Sequence, residues 1–524
     1  MDLKQHLIHR NYQKCEAKSQ ITVGDDYSIP EGKPDISSVL QKKAELLAEE
    51  VHTEKGKIRI RGKLKVWVLY LTERAKEPAD SLFMEFPFDE ILYMEGAENG
   101  DNLKIDWDIE ELRIGIVHPG KLNVRALIGL NGMITGTKGH MVAENTAEAP
   151  NVYARTENFV MAEPVMERRE NFRIRDEINL PANKPNVQNI LWKDLQVRGL
   201  DIRMQEGRLG VKGEALLFVL YQPEGEESQV QWLEQTVPFH GTVDVTGLTP
   251  EMFGHLETEV SHQSIEIKPD YDGEMRMFQL EMILEIHMNV YEEQTCQVLM
   301  DVYSTEEKLN LQTEEIQYER LRMCNQTKCK VSGQERLGED VKILQILGHQ
   351  AGLQNKRCKM TEQGVLCEGM LEVQILYVTS SDSRPFDTMV VSVPYSQLVE
   401  IPEIEKDDSW KVSEMLEQTS ITMPEGNVLE LRGIISFQAC VMQQCSRNNI
   451  VNITAEPYDL EEYKNCPGMR IHFVQPKETL WGIAKENRTT VEEMKKVNDL
   501  TAEEITPGQK LLILKTAAEP LQLL

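Results

Sequence analysis

The strongest constraint on the fold is an internal repeat that fills most of the 524-residue chain. The segment IPEGKPDISSVL at 29–40 returns as LPANKPNVQNIL at 180–191, and GKIRIRGKLKVWVLY at 56–70 returns as GRLGVKGEALLFVLY at 207–221. Both pairs have the same offset of 151 residues. A third copy carries GVLCEGMLEVQILY at 364–377. The sequence therefore predicts one structural unit that occurs three times.

Fixed spacings between glycine, tyrosine and proline define each copy. A glycine precedes a tyrosine by eight residues, and this tyrosine precedes a proline-aromatic pair by seventeen. The defining residues are Gly62, Tyr70 and Pro87 in the first copy, Gly213, Tyr221 and Pro238 in the second, and Gly369, Tyr377 and Pro394 in the third. We expect the glycine where a strand needs a bulge or a close backbone approach. We expect the proline at a strand edge or bulge, where a missing N–H group is tolerated.

Each copy is predicted to be mainly β. Apolar, partly alternating runs such as GEALLFVLY indicate half-buried strands, and Glu206-Gly207 suits a hairpin turn between two of them. One short helix per copy is expected after Lys-Pro, because 185–191 has an early proline and apolar residues at helical spacing. Copies of this length fit sandwich-like domains. The predicted units are 1–150, 151–316 and a divergent 317–450.

A different pattern follows the repeats. After a linker at 451–469, the residues 470–516 are predicted to form a strand, two short helices and a second strand, which is a βααβ unit. Thr490 with Glu493 has the form of a capping box, and Pro507-Gly508 predicts a turn before the return strand. The unit is small but carries its own caps, turns and apolar faces.

This unit resembles a LysM module, a βααβ fold that binds N-acetylglucosamine polymers and sometimes proteins. The resemblance is carried by TLWGIA, VEEMKKVNDL and ITPGQKL. It implies a groove for a partner or glycan between two loops: Lys477, Glu478, Thr479, Leu480 and Trp481 in the first, and Asn498, Asp499, Leu500, Ile505, Thr506, Pro507, Gly508 and Gln509 in the second. Lys477 stands where the family usually has glycine. Trp481 or Leu480 would anchor a partner if exposed; the alternative for Leu480, Ile483 and Val497 is the core of the domain.

The three copies resemble the SPOCS domain of spore coat proteins in endospore-forming bacteria. The residues that carry this resemblance are LPANKPNVQNILW, KGEALLFVLY and VPFHGTVDV. Three such domains followed by LysM resemble a family of coat morphogenetic proteins. That family acts in the mother-cell cytosol, at the forespore surface, together with the stage-IV morphogenetic ATPase that polymerises as the basement layer of the coat.

The resemblance implies a non-enzymatic scaffold. It would bind this ATPase, through its LysM domain, and other spore coat proteins, and it would help to localise the coat around the forespore. One alternative is a peptidoglycan- or N-acetylglucosamine-binding protein of the spore cortex or cell wall. Another is an enzyme whose site has no recognised motif.

Composition narrows the possible partners and the location. The net charge of −29 disfavours nucleic acid and anionic membranes. No apolar run approaches the roughly 18 residues of a membrane span, so no membrane insertion is expected. The first twenty residues lack the apolar stretch of a secretory signal, which predicts a cytoplasmic protein. The LysM-like unit has eight Lys and Arg against seven Asp and Glu, so the acidity lies in the repeats.

No catalytic, cofactor or metal site is predicted. The chain contains no G-x4-GK[ST], G-x-S-x-G, H-E-x-x-H or G-x-G-x-x-G motif. Its nine cysteines include two C-x4-C pairs, Cys324/Cys329 and Cys440/Cys445, but no C-x2-C pair and no histidine cluster accompany them. Zinc is therefore not expected, and reduced thiols in the cytosol are the better interpretation.

Overall fold

The chain folds into three β-rich, sandwich-like repeats followed by a small βααβ domain, as predicted. The computed structural model describes residues 2–73, 78–225, 229–338, 341–381, 384–425, 427–458 and 467–514. Residues 459–466 of the predicted linker and residues 515–516 of the predicted LysM unit lie outside these ranges.

Each repeat begins and ends with a long strand. Repeat 1 contains β1 (Leu3–Val23), β2 (Asp26–Ser28), β3 (Ile36–Glu54), β4 (Lys57–Thr72), β5 (Ala79–Tyr93), β6 (Asn102–His118) and β7 (Lys121–Thr146). Repeat 2 contains β8 (Val152–Asn179), β9 (Val187–Gln205), β10 (Arg208–Pro223), β11 (Gln231–Asp244), β12 (Phe253–Pro269) and β13 (Met275–Ser304). Repeat 3 contains β14 (Glu307–Arg336), β15 (Ile343–Thr361), β16 (Gly364–Ser381), β17 (Arg384–Glu400), β18 (Ser409–Glu425) and β19 (Val428–Pro457). The final domain contains β20 (Met469–Phe473), α1 (Leu480–Glu486), α2 (Val491–Val497) and β21 (Lys510–Leu514).

Two antiparallel sheets make up each repeat. The three middle strands form one sheet, in the orders β3-β4-β5, β9-β10-β11 and β15-β16-β17. In the other sheet the first long strand pairs with the last, as β1 with β7, β8 with β13 and β14 with β19. By this pairing, repeat 2 ends at Ser304 and repeat 3 begins at Glu307. The predicted boundaries at 316/317 and 450/451 therefore fall inside β14 and β19.

The core of each repeat lies between its two sheets. On β4 every second residue is buried and faces this core, as alternation in the sequence indicates. The fully buried members are Ile58, Ile60, Leu64, Val66, Val68 and Tyr70. They pack against β7, whose inward residues Leu122, Val124, Ala126 and Ile128 are equally buried.

The prediction of a helix at 185–191 is wrong, because residues 187–191 form the start of β9 and residues 185–186 precede it without helical structure. The ladder between β9 and β10 skips Gln188 and Leu191, which form two bulges three residues apart. Each bulge adds one residue and shifts the two-residue alternation. Together the two shifts place the apolar residues Val187, Ile190 and Leu191 at i, i+3 and i+4, which is also the spacing of an apolar helix face. Repeats 1 and 3 have the same double bulge, at Ser37 and Leu40 and at Leu344 and Leu347.

The second bulge of each repeat points into a cluster that all three repeats share. Leu40, Leu191 and Leu347 are buried there together with Leu69, Leu220 and Leu376, which occupy equivalent positions on β4, β10 and β16. This central cluster explains why β4, β10 and β16 end in continuous apolar runs. Near its end, each of these strands packs one face against the core of its own repeat and the other face against the neighbouring repeats. Truncating one of these leucines to alanine is expected to cost about 2–5 kcal/mol.

The long strands join the repeats a second time. Ile8, Val142, Phe159, Met161, Cys296, Val298, Ile316 and Tyr318 form another buried cluster that draws on all three repeats. Phe159 and Tyr318 pack with ring centroids 4.7 Å apart. The repeats therefore share buried cores and are parts of one body.

Candidate functional site

The βααβ domain is the candidate binding site, and its helices begin at threonine caps. The Thr479 hydroxyl accepts a hydrogen bond from the Gly482 N–H at 3.1 Å, and that of Thr490 accepts from the Glu493 N–H at 3.0 Å. These bonds satisfy backbone donors that the first helical turn leaves free. Leu480, Ile483, Ala484, Val491, Met494, Leu511 and Ile513 fill the small core between the helices and β21.

Backbone hydrogen bonds bring the two predicted loops together. The Val474 N–H donates to the Gln509 carbonyl at 2.9 Å, and the Gly508 N–H donates to the Val474 carbonyl at 2.8 Å. The second loop turns at Pro507-Gly508, where Gly508 has φ +85° and the Gln509 N–H reaches the Thr506 carbonyl. The turn therefore needs glycine at this position.

The first loop is fixed by Glu478. Its carboxylate accepts from the Gln475 N–H and contacts His472 Nε2, both at 2.7 Å. The bond from Gln475 and then the contact with His472 lower the pKa of this carboxyl. Lys477, which replaces the usual glycine, has φ +72°. Since side chains disfavour this region, the lysine is held in a strained backbone conformation.

The predicted groove residues differ in what they offer a ligand. Lys477, Thr479, Asp499, Thr506, Pro507 and Gly508 are exposed; Glu478, Trp481, Asn498, Leu500, Ile505 and Gln509 are half-buried; and Leu480 is buried. Leu480, at 1% exposure, belongs to the core and does not present an anchor. Most of the exposed residues lie in turns. A ligand bound there would therefore be held mainly by peptide groups and short side chains.

Asn498 has a structural role. Its side-chain amide donates to the Met494 and Leu512 carbonyls at 2.9 and 2.8 Å and accepts from the Leu512 N–H at 2.6 Å. The residue thus ties the end of α2 to β21. Its hydrogen-bonding groups are engaged within the domain.

Trp481 contacts repeat 2. Its indole N–H donates to Asp301 Oδ2 at 2.8 Å, and its ring meets that of Tyr303 edge-on with centroids 4.9 Å apart. Lys485 Nζ pairs with Asp301 Oδ1 at 2.5 Å. Tyr303 is 3% exposed and stacks in turn on Tyr153. The α1 side of the domain is therefore docked on the ends of β8 and β13.

Sequence reasoning missed this docking site. Asp301 and Tyr303 lie about 180 residues from their partners in α1 and belong to no motif. Tyr458, just before the residues that connect to the domain, adds a contact: the Arg488 guanidinium lies 3.6 Å from the centre of its ring. No local pattern in the sequence points to these pairs.

The opposite side of the domain carries an exposed apolar surface. Met469, Ile471 and Phe473 alternate along the outer face of β20 and are 60%, 60% and 52% exposed. Leu514, opposite Met469 on β21, is 40% exposed. We call these four residues the outer sheet face. Arg470 and Lys510 are exposed beside it. Contiguous exposed apolar residues of this kind are typical of interaction sites.

The repeat-defining residues face one another across strands. Gly62 pairs with Phe88, Gly213 with Phe239 and Gly369 with Tyr395. The preceding prolines, Pro87, Pro238 and Pro394, lie on the edge strands β5, β11 and β17. A Cβ atom on Gly213 would come within 2.7 Å of the Phe239 ring. In repeats 2 and 3 the aromatic ring thus covers the space that the glycine leaves.

The repeat tyrosines hold the loops that enter the sheets. The Tyr70 hydroxyl donates to the Pro34 carbonyl and that of Tyr221 to the Pro185 carbonyl, both at 3.2 Å. Tyr377 is buried in the same way in repeat 3. These contacts give the tyrosines a structural role.

Comparison with known families matches both kinds of unit. Residues 35–117, 186–268 and 342–424 each match the family described as SipL, SPOCS domain. Residues 472–514 match the LysM domain family. No solved structure matches the chain. Within the described residues, both helices are far too short to cross a membrane.

Similar curated proteins match only in the LysM region. The chain is 52% identical over 46 residues to a protein named "Probable endopeptidase p60" from Listeria seeligeri, and 50% identical over 46 residues to its namesake from Listeria welshimeri. Each match covers 9% of this chain and 9% of the relative's length. The similarity therefore concerns one shared module.

Proposed function

Because this chain carries three SipL-type SPOCS domains followed by a LysM domain, we propose that it is a non-enzymatic scaffold of spore coat assembly. SPOCS and LysM are non-catalytic binding domains, and together they make this a sporulation-related protein with a module of the peptidoglycan-binding type. The proposed partner is the stage-IV coat morphogenetic ATPase. The proposed place of action is the mother-cell cytosol, at the forespore surface, where the scaffold would help to localise coat proteins.

The outer sheet face is the observation that supports a protein partner. The LysM domain docks on repeat 2 through α1, so β20 and β21 present Met469, Ile471, Phe473 and Leu514 to solvent. Large apolar side chains dominate the energetics of interfaces. The half-buried Trp481 is already engaged with Asp301, which moves the expected anchor from the groove to this face.

Co-purification of the full chain with the ATPase from sporulating cells tests the proposal. Ile471→Glu and Phe473→Glu place charges on the outer sheet face and should reduce recovery of the ATPase at least tenfold. Val117→Glu is the matched control, because Val117 is 56% exposed on a strand of repeat 1. Unchanged recovery with both LysM variants, in protein that unfolds at the parent's temperature, would assign the ATPase contact elsewhere.

A second candidate function is binding of N-acetylglucosamine polymers. The observation that favours it is the similarity of this LysM unit to that of the p60 proteins, at about half of the positions. The exposed loop residues Lys477, Asp499 and Pro507 border the groove where such a ligand would lie.

The two functions use different surfaces and can be separated. Pro507→Glu should abolish binding of chitin oligomers and leave recovery of the ATPase unchanged, whereas Ile471→Glu should do the opposite. Calorimetric titration of the parent protein with chitin hexamer measures the first property. A parent that binds no oligomer at millimolar concentration would remove the glycan function and leave the protein partner.

A further inference from the structure

Repeat 3 gathers two thiols and one carboxylate at a single point. Cys358 and Cys367 are direct cross-strand partners on β15 and β16, with their Sγ atoms 2.7 Å apart. Cys358 Sγ lies 3.2 Å from Glu414 Oε1 on β18. One ligand atom from each of the three residues lies within 4.8 Å of the other two. The group thus connects both sheets of the repeat.

The same position is apolar in the other repeats. The residue two places before the repeat glycine is Ile60 in repeat 1, Val211 in repeat 2 and Cys367 in repeat 3. Their cross-strand partners are Val51, Ile202 and Cys358, respectively. Packing at this site is therefore satisfied by aliphatic side chains, and repeat 3 has replaced a whole pair with sulfur ligands.

The carboxylate is oriented toward the thiols. Tyr395, the aromatic partner of Gly369, donates its hydroxyl hydrogen bond to Glu414 Oε2. This bond leaves Oε1 directed at Cys358. A second group that holds a ligating carboxylate in place is a regular feature of protein metal sites.

The group borders a cavity. Cys367 is fully buried, whereas Cys358 and Glu414 are half-buried on the wall of a cavity of about 430 Å³ between repeats 2 and 3. Asp201 and Glu257 of repeat 2 also line this cavity. Water can therefore approach one side of the group while the protein closes the other.

We propose that Cys358, Cys367 and Glu414 bind a single divalent metal ion of borderline softness, with zinc as the expected one. Two thiolates and a carboxylate are ligands that zinc accepts, and three protein ligands leave one position for water from the cavity. Tetrahedral zinc with Zn–S bonds of about 2.3 Å requires sulfur atoms about 3.8 Å apart. The thiols must therefore separate by roughly 1 Å on binding, and the cavity beside Cys358 gives the room.

A disulfide between the two cysteines is the competing chemistry. It would use only the sulfur atoms and would leave the orientation of Glu414 by Tyr395 without a purpose. A bound cation uses all three side chains. It also clamps β18 to the β15–β16 hairpin, so that the metal would stabilise repeat 3 against unfolding.

Zinc binding to the reduced full chain, measured in competition with a chromophoric chelator, tests the proposal. We expect one equivalent to bind in the parent, with an affinity that falls at least about tenfold in Cys367→Ser and in Glu414→Gln. Zinc should raise the unfolding temperature of the parent and not that of either variant. Cobalt in place of zinc should show thiolate-to-cobalt charge-transfer absorption that Cys367→Ser loses.

The chain provides a matched control in Cys324. This residue pairs with Cys440 across β14 and β19, and neither belongs to the metal-ligand group found among the described residues. Cys324→Ser should leave zinc affinity unchanged. Equal zinc affinity in the parent and in Glu414→Gln would overturn the proposal. A loss of zinc affinity in Cys324→Ser as large as that in Cys367→Ser would overturn it too. Rapid disulfide formation between Cys358 and Cys367 that zinc does not retard would also overturn it and would assign the pair to redox chemistry.

Discussion

The hydroxyl of Tyr303, at the end of repeat 2, donates a 2.9 Å hydrogen bond to the carbonyl of Thr489, between the two helices of the LysM domain. Tyr303 is buried and packs with the core residues of that domain. A side chain from the repeats therefore completes the packing of the binding module and fixes its orientation.

Removal of this contact should release the LysM domain without unfolding it. Tyr303→Phe loses one buried hydrogen bond, which we expect to cost about 1 kcal/mol of docking free energy. Tyr303→Ala also removes the ring beneath Trp481 and should detach the domain. Hydrogen exchange of the full chain measures this as faster exchange in α1, with β4 and β10 unchanged. Faster exchange in the repeats as well would show that Tyr303 supports repeat 2 itself.

A side chain at the second repeat glycine should strain repeat 2. Gly213→Val places atoms against the Phe239 ring, and we expect a loss of about 1–3 kcal/mol in unfolding free energy. Gly115→Val is the control, because a Cβ at Gly115 meets nothing within 4 Å. Denaturant unfolding compares the two. An unchanged midpoint for Gly213→Val would mean that the ring moves aside without cost.

Replacing the strained Lys477 of the LysM loop should raise the stability of the domain. Lys477→Gly relieves a left-handed backbone conformation at φ +72° and should stabilise the domain by about 1 kcal/mol. Lys496→Gly, in the exposed part of α2, should instead destabilise it by about 1 kcal/mol. Thermal unfolding monitored by hydrogen exchange of α2 measures both. Destabilisation by both substitutions would show that the Lys477 side chain makes a stabilising contact.

Acid should weaken the contact between repeats 2 and 3 through His349. Burial and then the neighbouring Arg198 lower the pKa of His349 from its ordinary value of 6.5 to about 4. The Nε2 atom lies 3.0 Å from the Thr419 hydroxyl and 3.4 Å from the Arg198 guanidinium, so a proton there brings two cations together. Because folding favours the neutral ring, its contribution is complete above pH 6.5 and is lost as the pH falls toward 4.

The loss should reach about 1–3 kcal/mol over this interval, since one pKa unit corresponds to about 1.4 kcal/mol and the residue is only half-buried. His349→Gln should flatten the dependence of unfolding free energy on pH between 6.5 and 4 relative to the parent. Urea unfolding at a series of pH values provides the comparison. Parallel curves for the two proteins would exclude His349 as the titrating group.

The repeats were predictable because their signals are local. The spacing of Gly213, Tyr221 and Pro238 encodes one hairpin, in which the glycine must face the aromatic residue after the proline. The period of two in β4 encodes its buried face. The βααβ order was predictable for the same reason, because a helix cap such as Thr490 forms its hydrogen bond with a residue only three positions away.

The helix at 185–191 failed because its apolar spacing has another origin. Two bulges, at Gln188 and Leu191, shift a strand's alternation. Their purpose becomes visible only when Leu191 meets Leu40 and Leu347 in the central cluster. A single-segment pattern contains no information about residues in other repeats.

By itself, the sequence determined the three copies, their β character and the LysM unit. The tertiary structure alone decided that Trp481 docks on Asp301 and that the outer sheet face is exposed. It also decided that Cys358, Cys367 and Glu414 converge, although the sequence led us to expect no metal site. The physical reason is range: capping, alternation and turns act over a few residues, whereas docking and ligand convergence depend on residues that only the folded chain brings together.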